Sequence, residues 1–173
     1  MSSSATSPSD TAEPYHALVA DLDYPMVIVT CADGAARSGC LVGFSTQCSI
    51  DPPRHLVCIS KANHTHGVAE RSSVLAVHVL YGAGRLLAGV FGVLTGDAPD
   101  KLSLVARTEG PEGVPVLDDA AGWFAGRVLE RVDLGDHTGY LVEPIAGERR
   151  RPIDQLGFQA LKHLDPGRAA GDG

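Results

Sequence analysis

The sequence predicts a mainly β domain, an antiparallel barrel of about six strands with short helices inserted between them. Three observations predict it. Short runs rich in β-branched and aromatic residues recur along the chain, bounded by Gly, Pro and Asp turn signals. They follow one another without the regular helical crossovers that a doubly wound parallel sheet requires. A chain of 173 residues with 44% hydrophobic and 20% charged content suits one globular domain with a sizeable core.

The elements follow in chain order. "YPMVIVTCA" (24–32) is β-branched and bounded by Pro25 and the turn "ADGAARSG". It forms a hairpin with "GCLVGFSTQCSI" (39–50) across a loop longer than the tightest turns. Asp51-Pro52-Pro53 ends that strand, because each proline removes a backbone donor and fixes φ. "RHLVCIS" (54–60) is a third strand, and "THGVAERS" (65–72) has the length of two helical turns. "VLAVHVL" (74–80) is nearly all apolar, as a strand covered on both faces would be, and His78 within it reads as a satisfied core residue. "AGRLLAGVFGVLT" (83–95) places Leu86, Leu87, Val90, Phe91 and Leu94 on one helical face.

Residues 96–113 read as excursions between core elements. "GWFAGRVLERVDL" (122–134) and "HTGYLVEPIAG" (137–147) are two more strands joined across Gly135-Asp136, and "IDQLGFQALKHL" (153–164) is a last short helix. "ERRR" (148–151) is a solvated run or a basic rim for phosphates. The Ser-rich start (1–14) and Gly-rich end (166–173) read as flexible tails around a domain at 15–165.

Composition narrows the function classes. A formal charge of −7 argues against nucleic-acid binding, which needs clustered Lys and Arg, but leaves room for a small anion at one local site. Cys31, Cys40, Cys48 and Cys58 form no C-x-x-C pair, so neither a thiolate metal site nor a redox dithiol is signalled, and a cytoplasmic setting is expected. "MSSSATSPSD" lacks the pattern of a secretory signal, and the apolar run "LLAGVFGVL" (86–94) is too short to span a bilayer, so no membrane role is expected.

One stretch gathers chemistry. In "DPPRHLVCISKANHTHG" (51–67) a buried strand runs into Lys61, Asn63, His64, Thr65 and His66. Three explanations compete. His64 and His66 alone are too few ligands for a metal and diverge at a helix start, so no metal is assigned. Ordinary capping by Asn63 or Thr65 with a solvated surface explains every residue. Alternatively, backbone N–H groups at a helix start, Lys61, Asn63 and Thr65 converge on a phosphate.

The run from Asp33-Gly34 through "SGCLVGFSTQCSIDPPRHLVCISKANHT" to "VLAVHVL" resembles the flavin reductase-like family with the FMN-binding split-barrel fold. The resemblance lies in the order of its pieces: Ser49-x-Asp51-Pro52-Pro53, a buried strand, Lys61-x-x-x-Thr65 and an apolar strand. "AGVF" (88–91), ending in Phe91, and "GDHT" (135–138) follow, so the resemblance covers roughly residues 24–147.

It implies an antiparallel six-stranded split barrel that binds FMN (or FAD) between the subunits of a homodimer. Val42, Gly43, Phe44, Ser45, Thr46, Gln47 and Cys48 would lie along the isoalloxazine. Lys61, Asn63, Thr65 and His66 would hold the phosphate end, and Ser60 and Phe91 would stand among the flavin contacts. His137 would sit near the flavin and the incoming nicotinamide, in a catalytic position or as a turn histidine bonded to Asp136. The implied activity is hydride transfer from NADH or NADPH to flavin, with reduced flavin passed to a partner monooxygenase. Leu41, Gly43 and Phe44 stand where the family often has Thr and Ser, which favours a second possibility, a flavin-binding carrier or sensor. The ending "GFQALKHL" lacks the family's tyrosine-rich pattern, so no dinucleotide contact is carried over there. Trp123 and Phe124 read as core or dimer interface.

Overall fold

The computed structural model describes residues 8–93 and 100–164. Its elements are α1 (Pro8–Ala20), β1 (Val27–Asp33), β2 (Ala36–Val42), β3 (Ser45–Ser49), β4 (Arg54–Ser60), α2 (His64–Ala69), β5 (Val74–Val79), α3 (Arg85–Val93), β6 (Arg107–Glu109), β7 (Pro115–Leu117), β8 (Gly122–Asp133), β9 (His137–Arg149) and α4 (Phe158–Leu161). Seven strands form one sheet in the order β2-β1-β5-β8-β9-β4-β3, and β6 and β7 pair separately. Every pairing is antiparallel, as expected.

The two end strands of the sheet are consecutive in the chain, separated only by Gly43 and Phe44. So short a link spans roughly 10 Å at full stretch, so the sheet must curl until its ends meet, which makes a barrel split between β2 and β3. The single strand expected over 39–50 is therefore two strands. Gly43 is the break, because a Cβ there would stand 2.6 Å from the Tyr24 ring and 3.2 Å from the Met26 sulfur. The hairpin before it is tighter than expected: Asp33 pairs with Ala36 across Gly34-Ala35, with Gly34 at φ 58°. The break at 43–44 and the small β6–β7 hairpin, whose strands have three residues each, account for the strands beyond the expected six.

Three apolar clusters lie against the sheet, two of them large. Val29, Cys31, Cys40, Val57, Ile59, Leu75, Val77, Tyr140 and Val142 fill the barrel. Met26, Ile28, Leu80, Leu87, Phe91, Leu117, Leu156 and Leu161 pack under α3 and α4 on its outside. β5 lies between the barrel core and a third, smaller cluster in which its Val74 and Ala76 pack with Val114 and Ala125, which explains its continuous apolar run. His78 is fully buried; its Nε2 accepts from the Leu117 N–H at 3.1 Å, so Nδ1–H donates to the Ile28 carbonyl at 3.0 Å. In α3, Leu87, Ala88 and Phe91 face the core, but Leu86, one residue round the helix, is 82% exposed. Leu94 lies outside the described residues.

Phe124 packs against the barrel core, and Trp123 packs beside Val74 and Ala76. The basic run is not simply solvated. Arg150 donates to the carbonyls of Leu117 and Asp118 at 2.8 and 3.0 Å, and Arg151 donates to the Tyr81 hydroxyl at 2.7 Å. The N-terminal helix begins at Pro8, inside the segment expected to be a tail; residues 1–7 and 165–173 lie outside the described residues. The last helix is a single turn, because the residues before it run extended and bridge to Tyr81 and Pro25. Among the described residues no helix is long and apolar enough to cross a membrane, and no three His, Cys, Asp or Glu side chains converge as metal ligands.

Candidate functional site

The polar cluster sits where β4 hands over to α2. β4 pairs with β9 so that Ser60 lies opposite His137, which brings the "GDHT" turn alongside the start of α2. The Lys61 N–H donates to the Asp136 carbonyl at 2.9 Å, and the Ala62 N–H donates to the Ser60 hydroxyl at 3.3 Å. Asn63 caps α2, its side-chain oxygen accepting from the Thr65 N–H at 2.9 Å. Several backbone donors expected to hold an anion are therefore already used.

Thr65 turns inward. It is 1% exposed, and its hydroxyl lies 2.9 Å from that of Ser38, so it ties α2 to β2 rather than facing a ligand. The physical reason is α2's apolar face: Thr65, Val68 and Ala69 close the end of the barrel. The solvent side keeps Lys61, Asn63 and His64. Lys61 pairs with Asp133 at 2.7 Å, and that contact, with the Gly135 N–H, holds the Asp133 carboxyl below its ordinary range. Asp133 is largely and Lys61 partly exposed, so the pair is weak and a ligand anion can replace Asp133. The His66 Nε2 lies 2.9 Å from the Thr138 hydroxyl and 3.6 Å from Glu70, which fixes the imidazole against β9.

His137 opens β9. Its Nδ1 lies 2.8 Å from the Asp136 carboxylate, which accepts only, so in the neutral imidazole Nδ1 carries the proton and Nε2 is an acceptor with no partner among the described residues. The same contact keeps the Asp136 carboxyl below its usual range. The His137 ring lies 5.2 Å from that of Phe44, centroid to centroid.

Of the residues expected along a flavin ring, Phe44 is 53% exposed, and Thr46, Gln47 and Cys48 are exposed on β3. β3 is an edge strand, so one row of its backbone N–H and C=O groups is unpaired in the sheet. The Ser45 hydroxyl is 2.7 Å from the His55 Nε2; burial pushes the His55 imidazole down, keeping it neutral. Val42 and Phe91, expected among the flavin contacts, are core residues at 5% and 1% exposure. Phe91 is held there because α3 lays its ring over Gly39, where a Cβ would meet it at 2.8 Å.

Phe44, Ser60, Lys61 and His137 thus meet at one open corner, with β3 beside them. The residues suit a flavin and its reductant: a row of backbone donors and acceptors for the polar edge of a flavin ring, a cation for its phosphate, and an exposed aromatic face beside them for a second planar ring. A separate cleft of about 440 Å3 lies between Arg37 and the β6–β7 hairpin, and none of these residues lines it.

Sequence reasoning missed Tyr24, Phe158, Asp133 and Ser38. Tyr24 stacks on Phe158 at 4.8 Å and touches Phe44 at 6.0 Å. The first contact joins residues more than a hundred positions apart and the second crosses two strands, and no local pattern signals either. Lys61–Asp133 was legible only once β9 was paired in register with both β4 and β8.

A family profile described as flavin reductase like domain matches residues 19–162. An FMN reductase (NADH) RutF of Stutzerimonas stutzeri is 28% identical over 144 residues, which are 83% of this chain and 82% of that protein. The 4-hydroxyphenylacetate 3-monooxygenase reductase component of Salmonella typhimurium is 32% identical over 127 residues, 72% of this chain and 74% of that one. Among solved structures, an NADH:FAD oxidoreductase of Streptomyces globisporus superposes with a TM-score of 0.77 at 22% identity, covering 99% of this chain and 98% of that one. Profile, relatives and barrel topology agree, and the chain belongs to the flavin reductase like domain family.

Proposed function

We propose that the protein is an NADH-dependent flavin reductase that acts in the cytoplasm as a homodimer and delivers reduced FMN to a separate flavin-dependent monooxygenase. The observation that carries this reading is the meeting of Phe44, Ser60, Lys61 and His137 beside the open edge of β3. The relatives' names support the nicotinamide and flavin assignments, and those named as monooxygenase components support the partner. The dimer is supported by the open form of the corner and by the apolar side chains next to it. Leu134 is 51% exposed, and it and Leu56 lie against the outer face of β9 at Gly139. Such a face suits burial against a second copy.

A bound flavin supplies the ring nitrogen that accepts hydride from nicotinamide. The protein's part is positioning. The unpaired backbone groups of β3 hold the polar edge of the ring system, and Lys61 exchanges Asp133 for the terminal phosphate. Asp136 fixes the His137 tautomer, so Nε2 orients a neighbouring amide N–H. The dimer face excludes water, which strengthens each of these contacts.

The phosphate assignment predicts a difference between two ligands. Lys61→Ala should weaken FMN by roughly three- to tenfold, the range for one charge-assisted contact at a partly exposed site, and leave riboflavin unchanged. Quenching of flavin fluorescence measures both. Equal losses for FMN and riboflavin would remove Lys61 from the phosphate end.

A further inference from the structure

An aromatic row crosses the candidate site. Phe158 stacks on Tyr24 at 4.8 Å with the planes 15° apart, Tyr24 meets Phe44 at 6.0 Å, and Phe44 meets His137 at 5.2 Å. The far end of the row is rigid. The Phe158 N–H donates to the Tyr24 carbonyl at 2.9 Å, and the Met26 N–H donates to the Leu156 carbonyl at 3.0 Å. Asp23 caps the following turn through the Gln159 N–H at 2.9 Å. The Phe44 backbone is anchored as well, its carbonyl accepting from the Cys58 N–H at 2.9 Å. Gly43 lets Tyr24 come this close, since a Cβ there would stand 2.6 Å from the Tyr24 ring. A fixed buttress therefore holds a ring that remains 53% exposed.

Two features of that exposed ring point to its ligand. Its face is apolar and aromatic, suited to a planar heterocycle. Beside it, His137 Nε2 is an acceptor with no partner among the described residues, because Nδ1–H is committed to Asp136. A ring carrying an N–H2 group satisfies both at once: the ring covers Phe44 and the N–H2 donates to His137. A carboxamide-bearing nicotinamide has this pattern; the isoalloxazine offers only its in-ring N3–H, and FMN affinity distinguishes the two.

Building on the reading of the chain as a flavin reductase, we propose that Phe44 is the residue on which the nicotinamide ring of the reductant stacks, with Tyr24 and Phe158 as positioning residues behind it. Phe44 is then a specificity determinant for the reductant, and flavin affinity depends on other groups. The row carries no cation to read a phosphate, so NADH and NADPH gain equally from it.

The test is steady-state kinetics of Phe44→Ser and Phe44→Tyr with saturating FMN, alongside FMN binding by fluorescence. Phe44 is half exposed, so its loss leaves the core intact. Phe44→Ser should raise KM for NADH about tenfold, the size of one lost stacked pair, and change FMN affinity less than about twofold. Phe44→Tyr should restore KM, and Tyr24→Leu should raise it by a smaller factor. Adenine also carries an N–H2 group, so reduced nicotinamide mononucleotide, which has no adenine, separates the two rings. The same factor with this reductant supports nicotinamide, and loss of the effect would assign the wall to adenine and overturn the proposal. A loss of FMN affinity matching the rise in KM would make Phe44 a flavin contact instead. Unchanged KM in an active Phe44→Ser would refute the inference alone. An inactive wild-type protein would refute the reductase reading and the inference together.

Discussion

Phe91→Ala is expected to lower stability by roughly 3–5 kcal/mol, the cost of emptying a large aromatic site in a core, while leaving flavin affinity unchanged. The ring is 1% exposed in α3 and sits among Ile28, Leu87, Leu102 and Leu117. On its barrel side it covers Gly39, where even a Cβ would stand 2.8 Å from the ring edge and 3.2 Å from the Thr30 methyl. Gly39→Ala alone should therefore destabilise by about 1–3 kcal/mol through overpacking. Combined with Phe91→Ala, the new methyl enters space the ring has vacated, so the double variant should be more stable than the two single losses predict. Urea unfolding of the four proteins measures the cycle. Additive losses would mean that Phe91 and Gly39 do not share this contact. A fall in FMN affinity in the folded Phe91→Ala protein would return Phe91 to the cofactor site.

Acid sensitivity centred on His78 is the second large effect. Burial pushes its imidazole down from 6.5 to about 4, against a smaller opposing influence from the Ile28 carbonyl. Between those two values the unfolded chain binds a proton that the folded chain does not. Stability therefore falls as pH drops through this window and rises again as pH increases. The full difference amounts to roughly 3 kcal/mol and is reached once pH lies below about 4. His78→Phe removes the titration but strands the Leu117 N–H and the Ile28 carbonyl, so the variant should be less stable than wild type near neutrality. Its deficit should shrink as the medium is acidified through the window. Denaturant unfolding at a series of pH values reads the deficit directly, and a constant deficit would show that His78 does not titrate between the two states.

Both effects arise at residues whose types were plain in the sequence, and only one was placed well. His78 was legible as core because an apolar run surrounds it on both sides. Phe91 was drawn into the site by the resemblance of "AGVF", whereas α3 turns its ring to the barrel. Periodicity located α3 and its buried Leu87 but could not rank Leu86 below it, since the two differ by only one helical step. The strands were legible wherever prolines or glycine turns bounded them, as at β4 and β9. The split at Gly43-Phe44 was not, because the glycine answers to Tyr24, and that contact exists only after the chain has folded.

The site shows the same division. Lys61, Asn63 and His137 come together near the start of α2, and His137 has the Asp136 partner that a turn histidine was expected to have. Thr65 turns inward, away from the exposed place expected of it. A threonine at a helix start can cap or face a ligand, and the choice fell to the Ser38 hydroxyl across the barrel end. The aromatic buttress was invisible for a related reason: the C-terminal segment lacks the family's usual residues, yet backbone bonds to Tyr24 and Met26 carry Phe158 into place.

The proposed activity is the passage of hydride from a nicotinamide to a flavin at this corner. Anaerobic mixing of the protein with FMN and NADH tests it most directly, with the visible absorbance of the flavin as the signal. The account predicts bleaching that depends on the protein, proceeds faster with NADH than without it, and slows in His137→Ala. Tight flavin binding without bleaching would contradict it and make the protein a flavin carrier.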